Sequence, residues 1–61
     1  TDDEAKHIIQ KTTKCNTVSE FQAIDKAKRN LYIHRLFSQG LSIRQISRLT
    51  GVSKKVVETN I

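Results

Sequence analysis

Methionine is absent from all 61 residues. Residue 1 is not expected to be a natural start, and the chain is expected to be an excised piece of a larger protein. Apolar runs are short. None approaches the roughly 20 residues that a membrane span requires, and no signal-peptide core is present. The expectation is a cytoplasmic domain with no membrane partner. Cysteine occurs once, at Cys15, which rules out an internal disulfide. Cys15 is expected as a small, partly buried residue after the first helix. His7, Cys15 and His34 lack the paired short spacings of a zinc site, so no metal or other cofactor is expected. No segment alternates polar and apolar residues, and there is no repeat or low-complexity tract. No nucleophile–base pair at usable spacing and no phosphate loop appears. A chain this short buries only about 60% of its unfolded surface, which leaves little room for a catalytic pocket. This piece is not expected to be an enzyme.

What the chain does have is unevenly placed positive charge. The formal net charge is +5, and Asp2, Asp3 and Glu4 contribute −3 to it, so residues 5–61 carry +8. From Lys26 onward there are eight basic residues (Lys26, Lys28, Arg29, Arg35, Arg44, Arg48, Lys54, Lys55) against one acid, Glu58. Such asymmetry favours a polyanionic partner.

Helical spacing accounts for most of the sequence. Thr1 and Glu4 form a possible T-x-x-E capping box, and a first helix runs to about Thr13 with Ala5, Ile8, Ile9 and Thr12 on its apolar side. Cys15-Asn16-Thr17 breaks it. Thr17 or Ser19 caps a short element, about Val18 to Ile24, with Val18, Phe21 and Ile24 buried. Asp25 caps a longer helix, about Lys26 to Gln39. Its inward positions are Tyr32, Ile33, Leu36 and Phe37, Leu31 stays half exposed, and Gly40 is the stop. Leu41 then enters the core.

The most informative stretch is Ser42 to Val57, S-I-R-Q-I-S-R-L-T-G-V-S-K-K-V-V. Ser42 and Gln45 form an S-x-x-Q capping box. Ile43, Ile46 and Leu49 recur at helical spacing. Gly51 supplies the left-handed stop, and Val52 plugs the gap between two helices. Ser53 caps a last helix, Lys54 to about Asn60, whose apolar side is Val56 and Val57. Two short helices joined by a Gly-containing turn make a helix-turn-helix over residues 42–60. The small Ser47 suits a steep crossing. The fold expected is all-α, a small four- to five-helix orthogonal bundle forming one domain.

The charges around this unit cost stability. Lys54 and Lys55 oppose the macrodipole in the first turn of the last helix, at about 0.3–1 kcal/mol each, and Arg44 does so one helix earlier. Arg44 and Arg48 are an i,i+4 like-charge pair, unfavourable by about 0.2–0.5 kcal/mol. An arriving phosphate would reverse the sign of these terms. On a helical wheel Lys54, Lys55, Glu58 and Thr59 lie opposite Val56, Val57 and Asn60, positioned to reach base edges in a major groove. Lysine can donate to guanine, and Glu58 can accept from cytosine N4 or pair with Lys54 or Lys55. Arg44, Gln45 and Arg48 would hold the DNA backbone. The candidate DNA-binding residues are thus Arg44, Gln45, Arg48, Ser53, Lys54, Lys55, Glu58 and Thr59. The target is duplex or hairpin DNA.

D-K-A-K-R from Asp25, followed by G-L-S-I-R-Q-I-S-R-L-T-G-V-S, resembles the C-terminal helical extension of tyrosine transposase-like proteins, bacterial relatives of those associated with repetitive extragenic palindromes. T-D-D-E-A-K-H-I-I and the later S-E-F-Q are similar to the segment preceding the motif there. The resemblance implies a parent protein with a tethered upstream nuclease domain carrying a catalytic tyrosine and a metal-binding histidine pair. Tyr32 has no His-x-His beside it and is expected in the core. Val56 stands where many such helices carry a small polar residue. The alternative function is a protein-interaction or homodimerisation module that keeps the fold, with Leu31, Phe37 and Ile61 as an exposed apolar patch.

Overall fold

Every helix of the chain starts on an oxygen-bearing side chain. The computed structural model describes residues 1–61 and holds five helices and no strand: α1 (Asp2–Thr13), α2 (Val18–Gln22), α3 (Lys26–Ser38), α4 (Ile43–Thr50) and α5 (Lys54–Thr59). The N-caps are Thr1, Thr17, Asp25, Ser42 and Ser53, and each side-chain oxygen accepts an otherwise unpaired N–H of the first turn. Thr17, not Ser19, therefore caps α2. The Ser42 cap is reciprocal. Its Oγ accepts from the Gln45 N–H at 3.1 Å, and Gln45 Oε1 accepts from the Ser42 N–H at 3.1 Å.

The helix ends are equally local in origin. Gly40, at φ 102°, closes α3. Its N–H donates to Phe37 O at 3.0 Å and the Leu41 N–H donates to Leu36 O at 3.3 Å. That pair of bonds is a Schellman ending, and the accompanying apolar contact is supplied by Leu36 and Leu41, both buried. Gly51, at φ 77°, closes α4 with a single bond from its N–H to Ser47 O. Helix α1 stops without glycine, on Lys14 at φ 60°.

The helices pack into an all-α bundle of 24 × 20 × 16 Å. Helix α4 is its hub and contacts α1, α2, α3 and α5. Its Ile46 is fully buried, as are Ile33 and Leu36 of α3 and Val57 of α5. Ala5 and Ile9 of α1, Phe21 of α2, and the linker residues Leu41 and Val52 complete the core. Burying each large aliphatic or aromatic side chain stabilises the fold by about 1.5–3 kcal/mol. Cys15, Ile24 and Tyr32 are half-buried against this cluster.

Two expected core positions are corrected. Val18 is 46% exposed, and Phe37, read both as an inward position of α3 and as part of an exposed apolar patch, is 40% exposed. Val18 opens a helix of five residues, and only its edge reaches the bundle, where it meets the turn after α4. Phe37 is displaced by geometry. The inward stripe of α3 runs through Ile33 and Leu36, and Phe37 falls at its margin, one residue round from Leu36.

Candidate functional site

The end of α4, the three residues Gly51–Ser53 and helix α5 form one locally bonded unit. Ile46, Val52 and Val57 are its buried knobs. Ser47 is half-buried, and its hydroxyl donates to Val52 O at 2.7 Å. The buried Thr50 hydroxyl donates to Ile46 O and accepts from the Val52 N–H. The turn is thus held by side chains on both sides of the glycine. Helix α2 buttresses it from outside the unit. Gln22 Nε2 donates to Thr50 O at 3.3 Å. A Cβ on Gly51 would stand 2.8 Å from both Gln22 Nε2 and Val18 Cγ1. Glycine is required here twice, for its φ and for the close approach of α2.

Seven of the eight candidate residues are exposed: Arg44, Arg48, Ser53, Lys54, Lys55, Glu58 and Thr59. Gln45 is half-buried and its carbonyl is occupied by the Ser42 N–H. Ser53 Oγ accepts the Val56 N–H, and the Thr59 hydroxyl donates to Lys55 O at 2.9 Å. Gln45, Ser53 and Thr59 therefore each carry a structural hydrogen bond in the free chain. Lys54, Lys55, Glu58 and Thr59 share the outward side of α5, while Val57 is buried and Val56 and Asn60 are half-buried. Glu58 forms no ion pair with Lys54 or Lys55, so its carboxylate is free on that face.

One ion pair exists in the chain, between Arg48 of α4 and Asp2 of α1. The side chains are 57% and 45% exposed, respectively. Arg44, Lys54 and Lys55 have no carboxylate partner, and the first turns of α4 and α5 contain no acid. The exposed Lys26, Lys28 and Arg35 on α3 are also unpaired, whereas Arg29 donates two hydrogen bonds to Asn30 Oδ1. No group of three or more His, Cys, Asp or Glu side chains is placed to hold a metal ion. No helix is long and apolar enough to cross a membrane.

Beside this surface, α1, α2 and α4 enclose an open groove of about 490 Å³ whose wall includes Arg48, Asp3 and Lys6 and whose floor includes Ile9, Phe21 and Leu49. Sequence reasoning missed two contributors to the region. They are Asp2 and Gln22. Apart from the family resemblance, Asp2 enters the sequence reading only through its charge, and Gln22 does not enter it. Their partners lie 46 and 28 residues away, and no local pattern marks them.

Comparison of the chain with protein families, with curated proteins and with solved structures finds no match.

Proposed function

We propose that residues 42–60 are a DNA-binding helix-turn-helix, with α5 as recognition helix and α4 as its support. The observation that carries the reading is the set of exposed cations without carboxylate partners at the starts of α4 and α5: Arg44, Lys54 and Lys55. Cations there oppose the helix dipoles and contribute no ion pair to the fold. A polyanion arriving at them converts an unfavourable placement into a favourable one. On this reading Arg44, Gln45 and Arg48 fix the register on the phosphate backbone, and Lys54, Lys55 and Glu58 meet base edges. Gln45 contributes through its amide NH₂, since its carbonyl is held by the cap. The resemblance to transposase-like extensions adds a role, which is to hold a tethered nuclease domain on its DNA.

The test is titration with a mixed-sequence duplex at several salt concentrations. About four to six phosphate contacts give a slope of log K against log salt near −4 to −5. Replacing Arg44 by alanine flattens the slope by about one, and replacing Lys54 and Lys55 together by alanine weakens binding and relaxes sequence preference. A wild-type slope near zero refutes the reading. The half-exposed Leu31, Phe37 and Ile61 favour a second reading, a protein-docking or self-association module. Sedimentation separates the two. A tight dimer without duplex affinity supports the second and removes the first.

A further inference from the structure

The ion pair between Asp2 and Arg48 joins the first turn of α1 to the last turn of α4 across 46 residues of sequence. It engages one of the four cations assigned to the DNA-facing unit. We infer that Asp2 is a built-in competitor for the DNA phosphate, so that binding exchanges one anion for another at the Arg48 guanidinium. The inference rests on the proposed DNA-binding reading.

Three observations support the exchange. Both side chains are about half exposed, so the pair is weak and a phosphate can reach the guanidinium without opening the core. Arg48 lies one turn after Arg44, and pairing with Asp2 relieves their mutual repulsion in the free chain. Arg48 is also basic in the last turn of α4, where the dipole favours a cation with or without a partner. Losing Asp2 therefore leaves α4 intact. Asp2 keeps a role of its own at the start of α1, where its charge suits the dipole beside Asp3 and Glu4. The acidic turn thus stabilises α1 and, by the same charge, restrains the basic face. Exchange makes affinity for DNA lower than it would be with Arg48 unpaired.

The experiment measures duplex affinity for the wild-type chain and for Asp2→Asn, Asp3→Asn, Asp2→Glu, Arg48→Ala and the combination of Asp2→Asn with Arg48→Ala. Far-UV circular dichroism verifies that each variant keeps its helices. Asp2→Asn tightens binding by about 1.5- to 5-fold at low salt, the worth of an exposed ion pair. Asp3→Asn removes the same charge without freeing Arg48 and tightens binding less. Asp2→Glu stays near wild type. In the Arg48→Ala background the gain from Asp2→Asn shrinks to that of Asp3→Asn. Equal gains from Asp2→Asn and Asp3→Asn, or a gain that persists without Arg48, overturn the inference while leaving the DNA reading standing. Absence of duplex affinity in both wild type and Asp2→Asn overturns both together.

Discussion

Replacing Gly51 by alanine tests how the turn between α4 and α5 is held. Three costs can be worked from the structure. An L-residue at φ 77° is strained by about 1–2 kcal/mol. Its Cβ would lie 2.8 Å from Gln22 Nε2, and Gln22 can swing away only by giving up its bond to Thr50 O. A lost hydrogen bond of this kind costs about 0.5–1.5 kcal/mol. The Cβ would also lie 2.8 Å from Val18 Cγ1. That β-branched side chain escapes only off-rotamer or by moving α2, at about 0.5–1.5 kcal/mol. The sum is about 2–5 kcal/mol, against a total stability of about 3–9 kcal/mol for a chain of this length. Thermal unfolding followed by far-UV circular dichroism should show Tm lower by at least about 8 °C, since about 4–8 °C is expected per kcal/mol in a domain this small. Gly40 is the internal control. It has φ 102° but nothing within 4 Å of a Cβ, so alanine there carries strain alone. The contact also predicts non-additivity. Val18→Ala removes the obstructing methyl from an already half-exposed residue, and in that background Gly51→Ala costs less by about 0.5–1.5 kcal/mol. If Gly51→Ala costs no more than Gly40→Ala, and Val18→Ala gives no relief, then α2 does not brace the turn.

The other predictions concern the cap, the core and the cations. Ser42→Ala removes a reciprocal cap and costs about 1 kcal/mol in urea unfolding, whereas Ser19→Ala, which caps nothing, stays within about 0.5 kcal/mol of wild type. Ile46→Ala leaves a cavity where α4 meets its neighbours and costs about 2–5 kcal/mol, enough to leave a substantial unfolded population at room temperature by the same assay. Replacing Lys54 and Lys55 together by alanine lowers duplex affinity yet leaves the Tm unchanged or raises it, because the two cations oppose the dipole of α5. A drop of several degrees would show that these lysines serve the fold instead.

The fold was legible where its causes are local. Ser42 with Gln45, Gly40 and Gly51 each act within five or six residues, and the spacing of Ile43, Ile46 and Leu49 marks the inward side of α4. The boundaries of α4 follow from those signals alone. Val18 and Phe37 misled because an apolar residue at helical spacing is buried only if a neighbouring element covers it. A five-residue helix at the edge of the bundle, and a position at the margin of a stripe, are not covered. In the candidate site, the outward grouping of Lys54, Lys55, Glu58 and Thr59 could be read from the period of α5. The pairing of Arg48 with Asp2 and the bracing by Gln22 could not. Both depend on how helices distant in sequence meet, which no short window encodes.

That α4 touches every other helix has a dynamic corollary. Opening α4 breaks its contacts with all four other helices at once, so α4 is expected to open only when the whole bundle does, whereas a peripheral helix can open by itself. Backbone amides of α4 and of the buried stretch of α3 should then exchange with solvent at one common, slow rate set by global unfolding. A ligand reaching α4 would meet a backbone already fixed by the core, and the ordering it must impose there is confined to the side chains of Arg44 and Arg48.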